Sequence, residues 1–549
     1  MTTTAPPLLP AARGSRYDRW RARVAADPRL ERLYAWLAPT LITVLAGILR
    51  FWNLGHPHAL VFDETYYVKD AWSQWNLGYA AQWPAGADAR FAAGETDIFL
   101  TDPSFVVHPP LGKFLIGAGM ALFGPENSFG WRFSAALFGT ALVLLLFLFA
   151  KTLTRSTVFA SVAAFLLAID GLGIVMSRVS LLDIFLAFFI LLAFWFTALD
   201  RRQALDRLAA ATVARSADGE PVPWGAIVWN RPWVIAAGAA AGAATAVKWS
   251  GVWVLAAIGL YLVVTDALER RRLGVTFWPT DAVRQGLVSF VLLVPVALVV
   301  YLASWIGWLT SDGGYDRHAA DANPATGVFS WVPLSLQSLW KYHQTIYNSM
   351  TSMTSPHSYE SPAWQWALLW RPTSMYANAT ENGQGGCPAT GHGGCLEILY
   401  SMPNPLLWYA SIAAMIYLIY RFVLDRDWRK ALVLVGIAST WLPWFVYPER
   451  TIFQFYTIVI WPFLLLALTF ALRQIASPQR LDDPAPPLPA ADAAASVARS
   501  VRRRLVGQRI VIVFLAVAVL LSIFWYPLWS GMQVPYEFYR LHNWMQGWV

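Results

Sequence analysis

Charge is scarce in this chain. Asp, Glu, Lys and Arg make up 13% of its 549 residues, against about 25% in soluble proteins. With 57% hydrophobic residues, that scarcity excludes a soluble globular protein and points to an all-α polytopic membrane protein. Cysteine is scarcer still, with only Cys387 and Cys395. Both lie in one polar segment, Cys-Pro-Ala-Thr-Gly-His-Gly-Gly-Cys, where an extracytoplasmic loop favours a disulfide. Zinc held with His392 is the competing reading, weakened by the lack of an obvious fourth ligand. Clustered acidic or histidine ligands are missing elsewhere, so no metal or other cofactor is expected. The first thirty residues lack an early apolar core. A cleavable signal peptide is therefore not expected, and the first span is read as an uncleaved anchor. The net charge of +8 implies no nucleic acid, because the basic residues fall in short loops and tails between apolar runs.

What is abundant is apolar sequence in runs of about twenty residues, the length that crosses a bilayer as a helix. The thirty tryptophans suit aromatic belts at membrane interfaces. Eleven spans are expected, at about 34–52, 131–150, 157–176, 180–199, two within 233–265, 284–304, 404–423, 431–447, 452–472 and 510–530. The pair within 233–265 should break at Lys248-Trp249-Ser250-Gly251. The basic residues place the N terminus in the cytoplasm and the C terminus outside. A cytoplasmic tail at 1–33, a membrane domain at 34–530 and an extracytoplasmic tail at 531–549 follow. Within the membrane domain lie outer loops at 53–130 and 305–403 and a flexible cytoplasmic linker at 473–509. The cytoplasmic loops read as mainly arginine and little else. The run Pro110–Phe123 is too short to span and contains Lys113, so it reads as an interfacial or re-entrant helix on the outer face.

The polar residues of interest gather in the outer segments. Asp63 and Glu64 follow the first span, flanked by aromatics. Adjacent residues point in opposite directions, so one carboxylate can face a reaction centre while the other holds the scaffold. Partial desolvation would make such a carboxylate more basic; capping a helix is the alternative. His108-Pro109-Pro110-Leu111-Gly112-Lys113 sets a cation near a helix N-terminus, suited to an anion such as phosphate, or to a lysine that snorkels to lipid. Arg132, Arg178 and Lys248 are further outer-face cations, where the positive-inside rule predicts few. An ion pair of Asp183 with Arg178, or with Arg132, would explain them structurally. Pro448-Glu449-Arg450 offers one more pair. Aromatics of the second outer loop, including Trp331, Trp340, Tyr347 and Trp370, could stack on peptide or sugar, or anchor the loop at the interface.

Phe62-Asp63-Glu64, the His108–Lys113 block, Arg132-Phe133-Ser134-Ala135 and Val247-Lys248-Trp249 together resemble the protein O-mannosyltransferases. The resemblance covers nearly the whole chain in span order. It implies a GT-C glycosyltransferase fold in the plasma membrane with an extracytoplasmic active site. The implied reaction moves mannose from polyprenyl-phosphate-mannose to Ser or Thr of an unfolded secreted or membrane protein, with inversion. By motif position it implies Asp63 as general base and Glu64 in support. His108 and Lys113 would bind the donor phosphate with Arg132 supporting, and Lys248 and Arg178 are less direct additions. The secretion channel is a candidate partner. The composition resembles the actinobacterial branch, and the second outer loop is too short for the β-trefoil MIR domain of the eukaryotic enzymes. A related transferase acting on another lipid-linked sugar, or a lipid-linked sugar transporter, are the competing readings; the transporter would show inverted repeats, and none is evident.

Overall fold

The computed structural model describes residues 15–215, 222–390, 392–477 and 490–548. The start of the basic tail (1–14) and part of the expected linker (478–489) lie outside the described residues. Ser15 caps α1 (Arg16–Ala26), and Asp27 caps α2 (Pro28–Phe51), the first expected span. Pro28 sits in the first turn of α2, where its missing N–H has no intrahelical partner to lose. The segment 53–130, expected as an outer loop, folds into α3 (Glu64–Leu77), α4 (Ala87–Ala92) and α5 (Leu111–Phe123). The chain then runs through α6 (Ser128–Thr154), α7 (Thr157–Ala168), α8 (Gly171–Val175) and α9 (Asp183–Arg215). It continues as α10 (Pro232–Val247), α11 (Gly251–Arg272), α12 (Trp278–Ser304) and α13 (Ile306–Thr310).

Helices fall on all eleven expected segments. Seven of them, α2, α6, α9, α11, α12, α15 (Pro405–Asp425) and α18 (Ala490–Ser530), are long and apolar enough to cross a membrane. Four of the eleven are shorter, and two places depart from continuous spans. The expected helix 157–176 stops at Ala168, because the buried Asp170 carboxylate turns to cap α8, accepting from Gly173 N at 3.2 Å and from Asn404 N at 2.8 Å. The expected spans 431–447 and 452–472 also break. Pro443 ends regular helix after α16 (Trp428–Trp441), and residues Gln454–Val459 form a 3-10 turn before α17 (Trp461–Ala476).

The second outer loop holds α14 (Leu334–Thr351) and a hairpin of β1 (Thr373–Thr380) and β2 (Cys395–Ser401), and is followed by α15 (Pro405–Asp425). After α18 (Ala490–Ser530) the chain adds β3 (Val534–Pro535) beside β2 and ends beyond α19 (Tyr536–Arg540). Cys387 and Cys395 form a disulfide at the hairpin, which consumes both thiols and removes the zinc reading with His392. His56 meets Glu397 of β2 at 3.5 Å, so the first outer loop, the second outer loop and the C-terminal tail join on one face.

At the opposite end, where the loops read as mainly arginine, the arginines are paired with acids. Arg231 bonds Asp200 at 2.5 Å and Asp266 at 2.9 Å, Arg201 also pairs with Asp266, and Arg270 bonds Asp281 at 2.6 Å. Charges removed from water need such partners. The acids lie within α9, α11 and α12, where a count of loop arginines passes over them.

Candidate active site

The first turn of α3 separates the two adjacent carboxylates. Glu64 has no exposed surface. It accepts from Arg132 Nε and Nη2 at 2.8 Å each, from Ser180 N at 2.8 Å and from Val61 N at 3.0 Å. Asp63 occupies the N-cap position at φ −71°, ψ −3°, yet its side chain does not cap the helix. Among the described residues its carboxylate has no hydrogen bond or ion pair. Burial pushes its pKa up to about 6; Lys248 pulls it down and Asp183 pushes it further up.

Lys248 and Asp183, the charged groups that act on Asp63, line a cavity of about 1180 Å³ walled by α9, α10, α11, α12, α14, the end of α16 and the segment following it; Asp63 itself is not among the lining residues. Its walls are mostly apolar, and its polar groups include His108, Asp183, Lys248, His343 and Arg450. Lys248 stands in the break between α10 and α11, where the sequence pattern places it. Its ammonium donates to both Asp183 oxygens, at 2.9 and 2.8 Å, and lies 5.0 Å from the centre of the Tyr456 ring. His108 packs against Tyr67 with ring centres 6.0 Å apart. Burial and the nearby cations Lys248, Lys113 and Arg450 hold its pKa well below the ordinary histidine value, so the ring is neutral. Arg450 lies over Trp444 at 5.4 Å and has no carboxylate partner among the described residues. His343 is fixed from both sides: one ring nitrogen meets Leu339 O at 2.6 Å and the other meets the Tyr301 hydroxyl at 2.5 Å.

Three sequence-chosen cations do not line the cavity. Arg132 is spent on Glu64 and on the carbonyls of Pro57 and Ala59, at 2.8 and 2.9 Å. Arg178 does not pair with Asp183. It donates to the carbonyls of Arg50, Trp52, Asn53 and Ser530 at 2.6–3.2 Å, tying the end of α2 to the end of α18. Lys113 is buried in α5 and faces Asp70 of α3 at 3.5 Å. Burial lowers the lysine and raises the aspartate, with each partner opposing the other's shift. Arg450 was legible only as half of a possible pair with Glu449. The structure instead turns it to the cavity.

Family models match two parts of the chain. Residues 97–209 match Dolichyl-phosphate-mannose-protein mannosyltransferase, and residues 335–548 match the C-terminal four TMM region of protein-O-mannosyltransferase. The Polyprenol-phosphate-mannose--protein mannosyltransferase of Mycobacterium tuberculosis is 33% identical over 530 residues, covering 94% of this chain and 93% of its own. This chain belongs to the protein O-mannosyltransferase family. The Corynebacterium glutamicum relative of the same name is 26% identical over 559 residues, covering 99% and 96%. In fold, the chain is similar to the S. cerevisiae protein O-mannosyltransferase Pmt1-Pmt2 complex bound to the sugar donor, with a TM-score of 0.65 at 16% identity. That match covers 94% of this chain and 92% of the other. The architecture is the GT-C fold of a multi-pass membrane protein.

Proposed function

We propose that this chain transfers mannose from polyprenyl-phosphate-mannose to Ser or Thr hydroxyls of exported proteins. The acceptor is unfolded enough to reach a site at the outer face of the plasma membrane. The observation that carries the reading is the unpartnered Asp63 carboxylate within electrostatic reach of Lys248 and Asp183, which line a large apolar cavity together with Arg450. Eleven spans, with the N terminus inside and the C terminus outside, fit this placement, because the arginine-rich helix ends then face the cytoplasm.

An alcohol is a weak nucleophile, and a positioned base contributes roughly 10²–10⁴-fold. Asp63 takes the hydroxyl proton as the oxygen attacks the anomeric carbon from the face opposite the phosphate. A single displacement then converts a β-linked donor into an α-mannoside. The phosphate leaves as an anion, and fixed cations stabilise its growing charge. Lys248 and Arg450 take that role, with neutral His108 as a hydrogen-bonding group. Asp183 holds the Lys248 ammonium in place. Arg132, Arg178 and Lys113 act through the scaffold and not as phosphate ligands. The apolar cavity wall receives the first isoprene units. No step requires a metal.

The test is transfer to a Ser/Thr peptide by purified protein given polyprenyl-phosphate-mannose or another polyprenyl-phosphate sugar. The expected product is an α-mannosyl peptide from the mannose donor alone. Transfer of a different sugar, or a β-linked product, contradicts the reading.

A further inference from the structure

The turn that delivers Asp63 contains an aromatic residue in a glycine-type conformation. Phe62 has φ +47°. It is the first central residue of a turn closed by Glu64 N donating to Val61 O at 2.9 Å, with Asp63 second at φ −71°, ψ −3°. A positive φ followed by this second pair describes a mirror-image turn, in which glycine is the usual first residue. A bulky side chain there persists only where its surroundings over-determine it, and such strain clusters at functional sites.

The surroundings are three rings. His357, Phe453 and Phe455 meet the Phe62 ring edge-on at 5.9, 5.7 and 5.6 Å between centres. Phe453 and Phe455 stack on one another at 5.5 Å. Ser361 N donates to Ile452 O at 2.7 Å, which fastens that segment to the second outer loop. The residue after Phe455 is Tyr456, whose ring lies under Lys248.

We propose that Phe62 is a positioning residue, its caged ring holding the strained turn that fixes Asp63 relative to Lys248 and Asp183 at the cavity. The inference rests on the reading of Asp63 as the base. One four-residue segment, 453–456, then sets both the base, through Phe62, and the cation, through Tyr456. The base is thereby registered against the leaving group. Tyr67 of α3 itself, and Lys248, Asp183 and Tyr456 from the other elements, are the charged or titratable groups that act on the carboxylate.

The experiment compares Phe62→Gly, Phe62→Leu and Phe453→Ala with wild type and Asp63→Asn, in purified full-length protein. Glycine accepts the turn geometry, so Phe62→Gly should accumulate normally. Its kcat should fall about tenfold or more, as displacement of a reacting group does, with KM for the lipid donor within about twofold. Its acid limb should move down by roughly one pH unit as water reaches Asp63. Phe62→Leu, which keeps apolar bulk, should recover most of the kcat. Phe453→Ala leaves the turn backbone alone and should shift kcat and the acid limb in the same directions, by less. Wild-type kcat and acid limb in Phe62→Gly, beside an inactive Asp63→Asn, overturn the positioning role. Should Phe62→Gly not accumulate, the same result in Phe453→Ala overturns it. An active Asp63→Asn overturns the base reading and this inference with it.

Discussion

Glu64 and Arg132 are joined by two 2.8 Å bonds from Nε and Nη2, and neither side chain has exposed surface. Removing one partner from such a buried pair strands a charge and costs about 3–5 kcal/mol. Glu64→Gln and Arg132→Met should therefore lower the amount of folded protein and the unfolding temperature in detergent. Asp63→Asn, one residue away, should leave both unchanged. Thermal unfolding of the three purified variants checks this contrast.

The Asp63 pKa of about 6 predicts a pH profile. The base works as the carboxylate, so kcat/KM should be flat above pH 7 and fall about tenfold per unit below 6. Lys248 holds this pKa down, so Lys248→Met should move the limb to higher pH as well as reduce the rate. A rate that stays level down to pH 5 argues against a carboxylate base with this environment.

The cavity separates the cations into two groups. Arg450→Met and Lys248→Met should each cost about tenfold or more in kcat/KM, the loss of one charge-assisted contact to the leaving phosphate. Arg178→Met should instead lose folded protein, because Arg178 ties four carbonyls together. Activity per folded molecule separates these outcomes.

The disulfide closes a short segment between Cys387 and Cys395. Cys387→Ser with Cys395→Ser should lower stability by roughly 2 kcal/mol. Turnover per folded molecule should stay near wild type, since no residue of the hairpin lines the cavity. Paired unfolding and activity measurements check it.

The sequence carries the outline of the site but not its partners. Span positions, the break at Lys248 and the outer-loop carboxylates follow from hydropathy and motif position. Pairing does not, because it depends on which helix ends meet. Asp183 is five residues from Arg178 in sequence, yet α10 brings Lys248 to it, and Arg178 turns to carbonyls of α2 and α18. The helix break at Asp170 was hidden for the same reason: besides the local cap from Gly173, its carboxylate accepts from Asn404 N, 234 residues away. Phe62 was visible as part of a motif. Its left-handed backbone and its cage of rings from 357, 453 and 455 are tertiary facts.

The most direct test of the account is mannose transfer by Asp63→Asn in membranes supplied with purified polyprenyl-phosphate-mannose and a Ser/Thr peptide. Wild-type protein levels, normal donor binding and transfer reduced by at least about 10²-fold are expected. Normal turnover by that variant would contradict the account.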